Sequence, residues 1–333
     1  MGRRLFAVIT LFFLTPLIAE FLLGNLPVSQ IALVLPLALM YGSGAVLIRE
    51  VVRRMGCGWL SLILLAIAYG LIEEGIVTQS LFNPNYLHLR LLDYGFIPAL
   101  GTGLPWLIYV ISLHVIGSIS VPIGLTEALF PQLRDTPWLG KIALGVIGVL
   151  FTAGLTLLAF VSYGQNPYLA SPAQFAAVGV IVIVLSITAF LLPKRSQPPS
   201  AKAPPPLVLF LVAFVLGSSL MGLQLFAQQS WHWPWPATVA AGLMVEMLFV
   251  AFLVIFTHNR VWSSRQRFAL LAGGLGVYLW FGFVLDYFTQ GAADLPGHAA
   301  VALFVLALAV VAGRRAFHAE SQAGLTNSSV VSL

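Results

Sequence analysis

Trp59-Leu-Ser-Leu-Ile-Leu-Leu-Ala-Ile-Ala-Tyr-Gly-Leu-Ile-Glu-Glu-Gly-Ile-Val-Thr-Gln-Ser80 decides the fold. From Trp59 to Ile72 the run is apolar, broken only by Ser61 and Tyr69. A helix needs about 20 such residues to cross roughly 30 Å of hydrocarbon. The run does not alternate apolar and polar residues, as a strand of an outer-membrane barrel would. It reads as a transmembrane helix. Near its far end it carries two adjacent carboxylates, Glu73 and Glu74, where a span tolerates charge poorly.

Similar runs fill the rest of the 333 residues, of which 59% are apolar and 8% charged. A soluble domain carries about 25% charged residues, so most of this surface faces something other than water. Ten spans are expected, at about 5–24, 30–52, 59–80, 105–128, 140–162, 173–193, 207–228, 237–257, 267–287 and 298–313. The fold class is all-α, a polytopic helical membrane bundle. Turn chemistry separates the spans, as in Gly24-Asn-Leu-Pro27 and Gly56-Cys-Gly58. A proline-rich linker, 194–206, divides a six-span part (1–193) from a four-span part (207–316), and 317–333 is expected to be a flexible tail.

Lys and Arg favour cytoplasmic loops. With the N-terminus inside, fifteen of the 16 basic residues, from Arg3 to Arg315, fall on the cytoplasmic side, and only Arg90 lies outside. Both termini are therefore expected in the cytoplasm, and the net charge of +5 reflects topology rather than nucleic-acid binding. The first run resembles a signal peptide in having Arg3-Arg4 before it. It is long for one and continues past Glu20 to Leu23, so a retained helix is expected. The expected location is a bacterial cytoplasmic membrane. Outside, Trp231-His-Trp-Pro-Trp-Pro236 suits an aromatic belt at headgroup level. The longest outside loop, 81–104, carries Asn83 and Asn85 and suits a lid or re-entrant segment.

At about 1.5 Å rise per residue, Glu73 and Glu74 lie roughly 8 Å below the outer face. Glu20 reaches a similar level, His114 and Glu246 lie somewhat deeper, and Asp286 is near the outer end of its span. Glu127 sits apart, at the inner end of the fourth span beside Arg134. Acids inside a membrane mark function by default; the alternative is a protonated, hydrogen-bonded acid that locks helices together. Adjacent helical residues point about 100° apart, so Glu73 and Glu74 are expected to face different partners. Tyr69 and Glu73 share one stripe; Gly70, Glu74 and Thr78 form another. His114 is one turn from Ser118, and Pro122 is expected to kink that span. The third and fourth spans are consecutive and antiparallel, which allows Glu74 to meet His114.

A buried carboxylate can act as general base on water, with histidine donating to a developing oxyanion. The same groups suit a proton relay or cation site. No His-Glu-x-x-His or comparable spacing marks zinc, and the single Cys57 excludes a cysteine cluster. No phosphate-binding glycine loop or nucleophile elbow is present. No metal and no cofactor are expected.

An apolar helix ending in Glu-Glu, followed about 40 residues later by a histidine inside the next apolar helix, resembles the CPBP superfamily of CAAX-protease-type and bacteriocin-processing-type intramembrane glutamic proteases. The resemblance covers 59–130. It implies that Glu73 and Glu74 activate a water and that His114 assists. Three positions depart from that pattern: Thr78 stands where the family has Arg, Val110 where it has an aromatic residue, and His258-Asn259 is the nearest approach to its later histidine motif. Two functions follow: a membrane-embedded glutamic-type hydrolase with catalytic Glu73, Glu74 and His114, or a proton- or cation-coupled transporter or lipid-handling permease. A non-catalytic scaffold subunit is a third. Glu20, Tyr69, Asn83, Asn85, Ser118, Glu246 and Asp286 are candidates to line the polar site. The expected partners are membrane lipids and a membrane-embedded peptide, lipid or small-molecule substrate.

Overall fold

The computed structural model describes residues 2–192, 201–202, 204–257 and 260–330. Among them are ten helices long and apolar enough to cross a membrane: α1 (Gly2–Leu22), α2 (Val28–Arg54), α3 (Trp59–Val77), α4 (Leu104–Leu129), α5 (Lys141–Gln165), α6 (Pro172–Leu191), α7 (Pro206–Phe226), α8 (Trp235–Ile255), α9 (Ser264–Thr289) and α10 (Leu295–His318). Every expected span is present, with ends shifted by a few residues. Helical backbone continues beyond α10 to Val330. Strand is confined to two short pairs. β1 (Phe96–Ile97) and β2 (Thr102–Gly103) form an antiparallel hairpin in the long loop, and β3 (Ala201–Lys202) lies parallel to β4 (Arg260–Val261). The His258-Asn259 pair and most of the proline-rich linker lie outside the described residues.

One apolar core unites both sides of that linker. Ile18 and Phe21 of α1, Leu113 of α4, Val277, Tyr278 and Phe281 of α9, and Val305 of α10 are buried together. By contrast, only Ile147 and Gly154 of α5 and Val178 and Ala189 of α6 are buried within the bundle. Exposed Ile142, Phe160, Ile183 and Leu191 leave these two helices with apolar outer faces, as lipid contact requires.

Small residues set the closest approaches. Pro16 has no N–H to offer the Phe12 carbonyl four residues earlier, and α2 packs there through Gly42, where a β-carbon would lie 2.1 Å from that oxygen. On α4, a β-carbon at Gly117 would lie 1.8 Å from Tyr278 Cζ. The space glycine leaves lets the Tyr278 hydroxyl reach the Leu113 carbonyl at 2.7 Å.

One end of the bundle is knotted by Arg49, which is fully buried. Its guanidinium donates to Glu50 (2.9 Å) and Glu127 (3.2 Å) and to the carbonyls of Leu133, Arg134 and Thr136 at 2.7–2.9 Å. It also stacks 3.6 Å from the Trp138 ring centroid. Arg53 adds a bidentate pair to Glu127 at 2.8 and 2.7 Å. The expected Glu127–Arg134 neighbourhood is thereby corrected. Arg134 pairs with Asp135 instead, because the last turn of α2, not the following loop, lies against the end of α4.

Gly117→Ala is expected to destabilise the protein by about 1–3 kcal/mol, the usual cost of overpacking. Gly148→Ala, on the open face of α5 with nothing within 4 Å of the added carbon, is expected to be neutral. Thermal melting of the detergent-solubilised variants distinguishes the two, and equal melting would contradict this packing.

Candidate functional site

Three of the helices change their winding where they carry polar side chains. α1 turns π-helical over Leu17–Leu22, which holds Glu20. α3 does so over Glu73–Val77, which holds both carboxylates, and α4 over His114–Ser120. Such π-turns occur disproportionately at functional sites. Two have a visible cause in proline. Pro16 directly precedes the first, and Pro122 follows the third and deprives the Ser118 carbonyl of its helical donor. The expected kink at Pro122 therefore takes the form of a wide turn. In the second, the Thr78 N–H reaches back five residues to Glu73 O at 2.8 Å.

The three turns meet in one buried cluster. His114 Nε2 is 2.7 Å from Glu74 Oε1, and His114 Nδ1 is 3.0 Å from Ser118 Oγ and 3.3 Å from Glu73 Oε2. Both carboxylates thus approach the same imidazole, on its two edges. The expectation that they face different partners is corrected: neighbouring side chains on the turn diverge, but a ring with a nitrogen on each edge accepts both.

Each acid is held on its other oxygen. Ser80 Oγ donates to Glu74 Oε2, and Thr78 Oγ1 adds a bond at 3.1 Å. Trp106 Nε1 donates to Ser80 Oγ at 3.2 Å. The Tyr41 hydroxyl contacts both Glu73 Oε1 and Glu20 Oε1. Asn25, exposed at the end of α1, donates to Glu20 Oε2 at 2.6 Å. A phenol has one hydrogen, so both Tyr41 contacts are satisfied when one of the two carboxyls supplies the second. Two buried atoms beside this network form no well-aligned hydrogen bond: Glu73 Oε2, which faces His114 Nδ1 at 3.3 Å, and the Tyr69 hydroxyl, which faces Glu73. The Tyr69 ring packs edge-on to His114, with centroids 6.0 Å apart.

Glu20, Tyr69, Glu73, Glu74, His114 and Ser118 are therefore brought together. The remaining candidates lie elsewhere. Asn83 donates to Asn166 Oδ1 at 2.5 Å, its own Oδ1 accepts from the Asn85 N–H, and the Asn85 side chain meets His88 at 3.1 Å, so the pair ties the long loop to the end of α5. Glu246 accepts from Ser112 Oγ at 2.6 Å, on the α8 side of α4. Asp286 lies beside His298, between α9 and α10. Tyr41, Asn25, Ser80 and Trp106 were not anticipated from sequence. For Tyr41 a signal existed: Tyr41-Gly42-Ser43-Gly44 is a tyrosine among small residues inside an apolar span, the pattern of close helix approach.

Glu73, Glu74 and His114 each offer one ligand atom within 4.8 Å of the others. The three donors are mutually close enough to reach one ion, and the same contacts connect the two carboxylates through the imidazole for a proton.

A model of an uncharacterized membrane protein family matches residues 9–324, and the chain belongs to that family. No curated protein and no solved structure matches it.

Tyr41→Phe removes the hydroxyl that bridges Glu20 and Glu73 and leaves two buried carboxyls short of a partner. A loss of about 1–3 kcal/mol is expected, read as a lower melting temperature than wild type. Unchanged melting would show that the bridge carries no stability.

Proposed function

We propose that the chain is a membrane-embedded hydrolase of the glutamic type, acting on a peptide or lipid bond held at the depth of His114. The single observation that carries this reading is the pair of carboxylates flanking one buried imidazole, with Glu73 Oε2 and the Tyr69 hydroxyl free of any well-aligned hydrogen bond beside it. Glu74 is fully engaged, by His114 on one oxygen and by Ser80 and Thr78 on the other. It orients the ring and balances its charge. Glu73 is the general base, because its Oε2 has no contact beyond its 3.3 Å approach to His114 Nδ1 and is free to take a water. It takes a proton from a water, and the hydroxide attacks the substrate carbonyl. Tyr69 donates to the oxygen that becomes negative. The proton passes to His114 Nδ1, 3.3 Å away, and from there to the leaving group. The likeness of residues 59–130 to intramembrane glutamic proteases, which implies a glutamate pair activating water with a histidine assisting, supports the reading in its use of Glu73 and His114 and differs in giving Glu74 an orienting role.

A second reading rests on a different observation. From Glu74 the polar contacts run through His114, Glu73, Tyr41 and Glu20 to the exposed Asn25. Such a chain suits proton-coupled transport as well as proton return in a hydrolase. The distribution of basic residues supports a cytoplasmic N-terminus, and with that orientation Asn25 and the cluster open toward the outer side of a bacterial cytoplasmic membrane.

Glu73→Gln, Glu74→Gln and His114→Ala are each expected to lower cleavage of quenched-fluorescence transmembrane peptides or lipid esters by at least about 100-fold, with helical content retained. Full activity in all three would end the hydrolase reading. Wild-type proteoliposomes that cleave nothing but show substrate-driven proton uptake, lost in the same variants, would establish the transport reading instead.

Orientation is tested separately, in a Cys57→Ser background. Leu89→Cys is expected to react with a membrane-impermeant maleimide in whole cells, and Gln132→Cys only after lysis. The reverse pattern would invert the topology.

A further inference from the structure

The wide turn of α4 has two ends, and Pro122 accounts for only one of them. Pro122 frees the carbonyl of Ser118, toward the far end of the turn His114–Ser120. At the near end, the bond that an α-helix would form runs from the Gly117 N–H to the Leu113 carbonyl, four residues back. In a π-turn the ladder closes five residues back instead. The Tyr278 hydroxyl of α9 enters beside the displaced pair. It donates to the Leu113 carbonyl at 2.7 Å, and the Gly117 N–H faces the same phenol oxygen. A side chain inserted into the helical ladder is a recognised cause of such distortion.

The wedge is anchored from behind. Tyr278 is fully buried. On the far face of α9, a β-carbon at Gly273 would lie 2.4 Å from the Phe210 carbonyl of α7, and one at Gly217 of α7 would lie 2.8 Å from Val277 Cγ2. On the near face, a β-carbon at Gly274 would lie 3.2 Å from Val121 Cγ2 of α4. α9 is gripped between α4 and α7, so the ring cannot withdraw without moving the helix. An unsatisfied backbone group is costly where water is excluded. A hydroxyl with one hydrogen to give and lone pairs to accept serves both backbone groups and lets the open turn persist.

We propose that Tyr278 is a positioning residue for His114. His114 is the first residue of the turn, and Ser118, whose Oγ lies 3.0 Å from His114 Nδ1, directly follows Gly117. Both depend on the winding that Tyr278 holds open. Without the hydroxyl, the Gly117 N–H and the Leu113 carbonyl are free to join. The turn then tightens, and the imidazole leaves its place between Glu73 and Glu74. Tyr278 acts through the backbone of α4 rather than on the reacting atoms. The effect on turnover rests on the hydrolase reading; the effect on the imidazole does not.

The test compares Tyr278→Phe, which keeps the ring and loses the hydroxyl, with Trp280→Phe, which loses a 2.8 Å bond from the same helix to Ser218 of α7. NMR of isotope-labelled histidine reports which ring nitrogen carries the proton, and the His114 signals are identified by their loss in His114→Ala. In Tyr278→Phe both ring-nitrogen shifts and the pH midpoint of His114 are expected to move from their wild-type values, while Trp280→Phe leaves them in place. A ring-fluorinated tyrosine at position 278, which alters only the strength of the hydroxyl bonds, is expected to move them as well and serves if Tyr278→Phe does not fold. On a cleaved peptide or lipid ester, Tyr278→Phe is expected to lower kcat by about tenfold or more with KM within about twofold of wild type. His114 signals unmoved in both Tyr278 variants, or moved equally by Trp280→Phe, would overturn the assignment, as would an unchanged kcat in an active enzyme. Absence of cleavage by the wild-type protein would end the hydrolase reading instead, and the NMR comparison would then decide the assignment alone.

Discussion

Three buried acids, Glu20, Glu73 and Glu74, draw their polar contacts from neutral groups and from a single imidazole. That shortage of positive charge governs the middle of the molecule. In a medium that excludes water, carboxylates this close persist only by sharing protons or by pairing with His114. The surrounding helices are bent to allow it. Each of the three helices that contribute an acid or the imidazole opens into a π-turn at that residue. The other end of the bundle solves the same problem with guanidinium groups. There Glu50 and Glu127 are answered by Arg49, Arg53 and Arg54. The molecule thus holds a permanently neutralised polar knot at one end and a proton-dependent one within the span. Only the second can change its charge by gaining or losing a proton.

Much of the architecture was legible in the residues. Hydrocarbon forces backbone groups to satisfy one another within a helix, so apolar run length alone places all ten spans to within a few residues. The meeting of Glu74 with His114 was legible too, since consecutive antiparallel helices with matching depths leave few alternatives. The finer geometry was not. An α-helical projection separates Glu73 from Glu74 and hides the fact that one ring can accept both. The small residues after Tyr41 mark a close helix approach, but nothing in that pattern identifies Glu20 and Glu73 as the partners of its hydroxyl. Glu127 was matched to the basic residue nearest in sequence, although the last turn of α2 supplies its partners in space. In each case local pattern gave the element and its depth, while the partner came from a distant part of the chain.

The division at the proline-rich linker has a similar character. Sequence shows a break, yet Tyr278 on the far side of it fills the notch at Gly117 and bonds the carbonyl of Leu113, the residue before His114. The position of the imidazole therefore depends on a helix five spans later. α5 and α6, which fall between them in sequence, stand at the periphery and bury little.

That arrangement has a consequence for biogenesis. Spans enter the membrane in order, so α3 brings Glu73 and Glu74 into the bilayer before α4 brings His114, and α9 arrives later still. An acid costs about 2.5 kcal/mol or more at the centre of a span and less toward its end, so α3 must be greasy enough elsewhere to insert with both acids unanswered. Its uninterrupted apolar stretch from Leu62 to Ile67 fits that need. The polar site is assembled inside the membrane from parts delivered separately, and it is complete only when the chain is nearly finished.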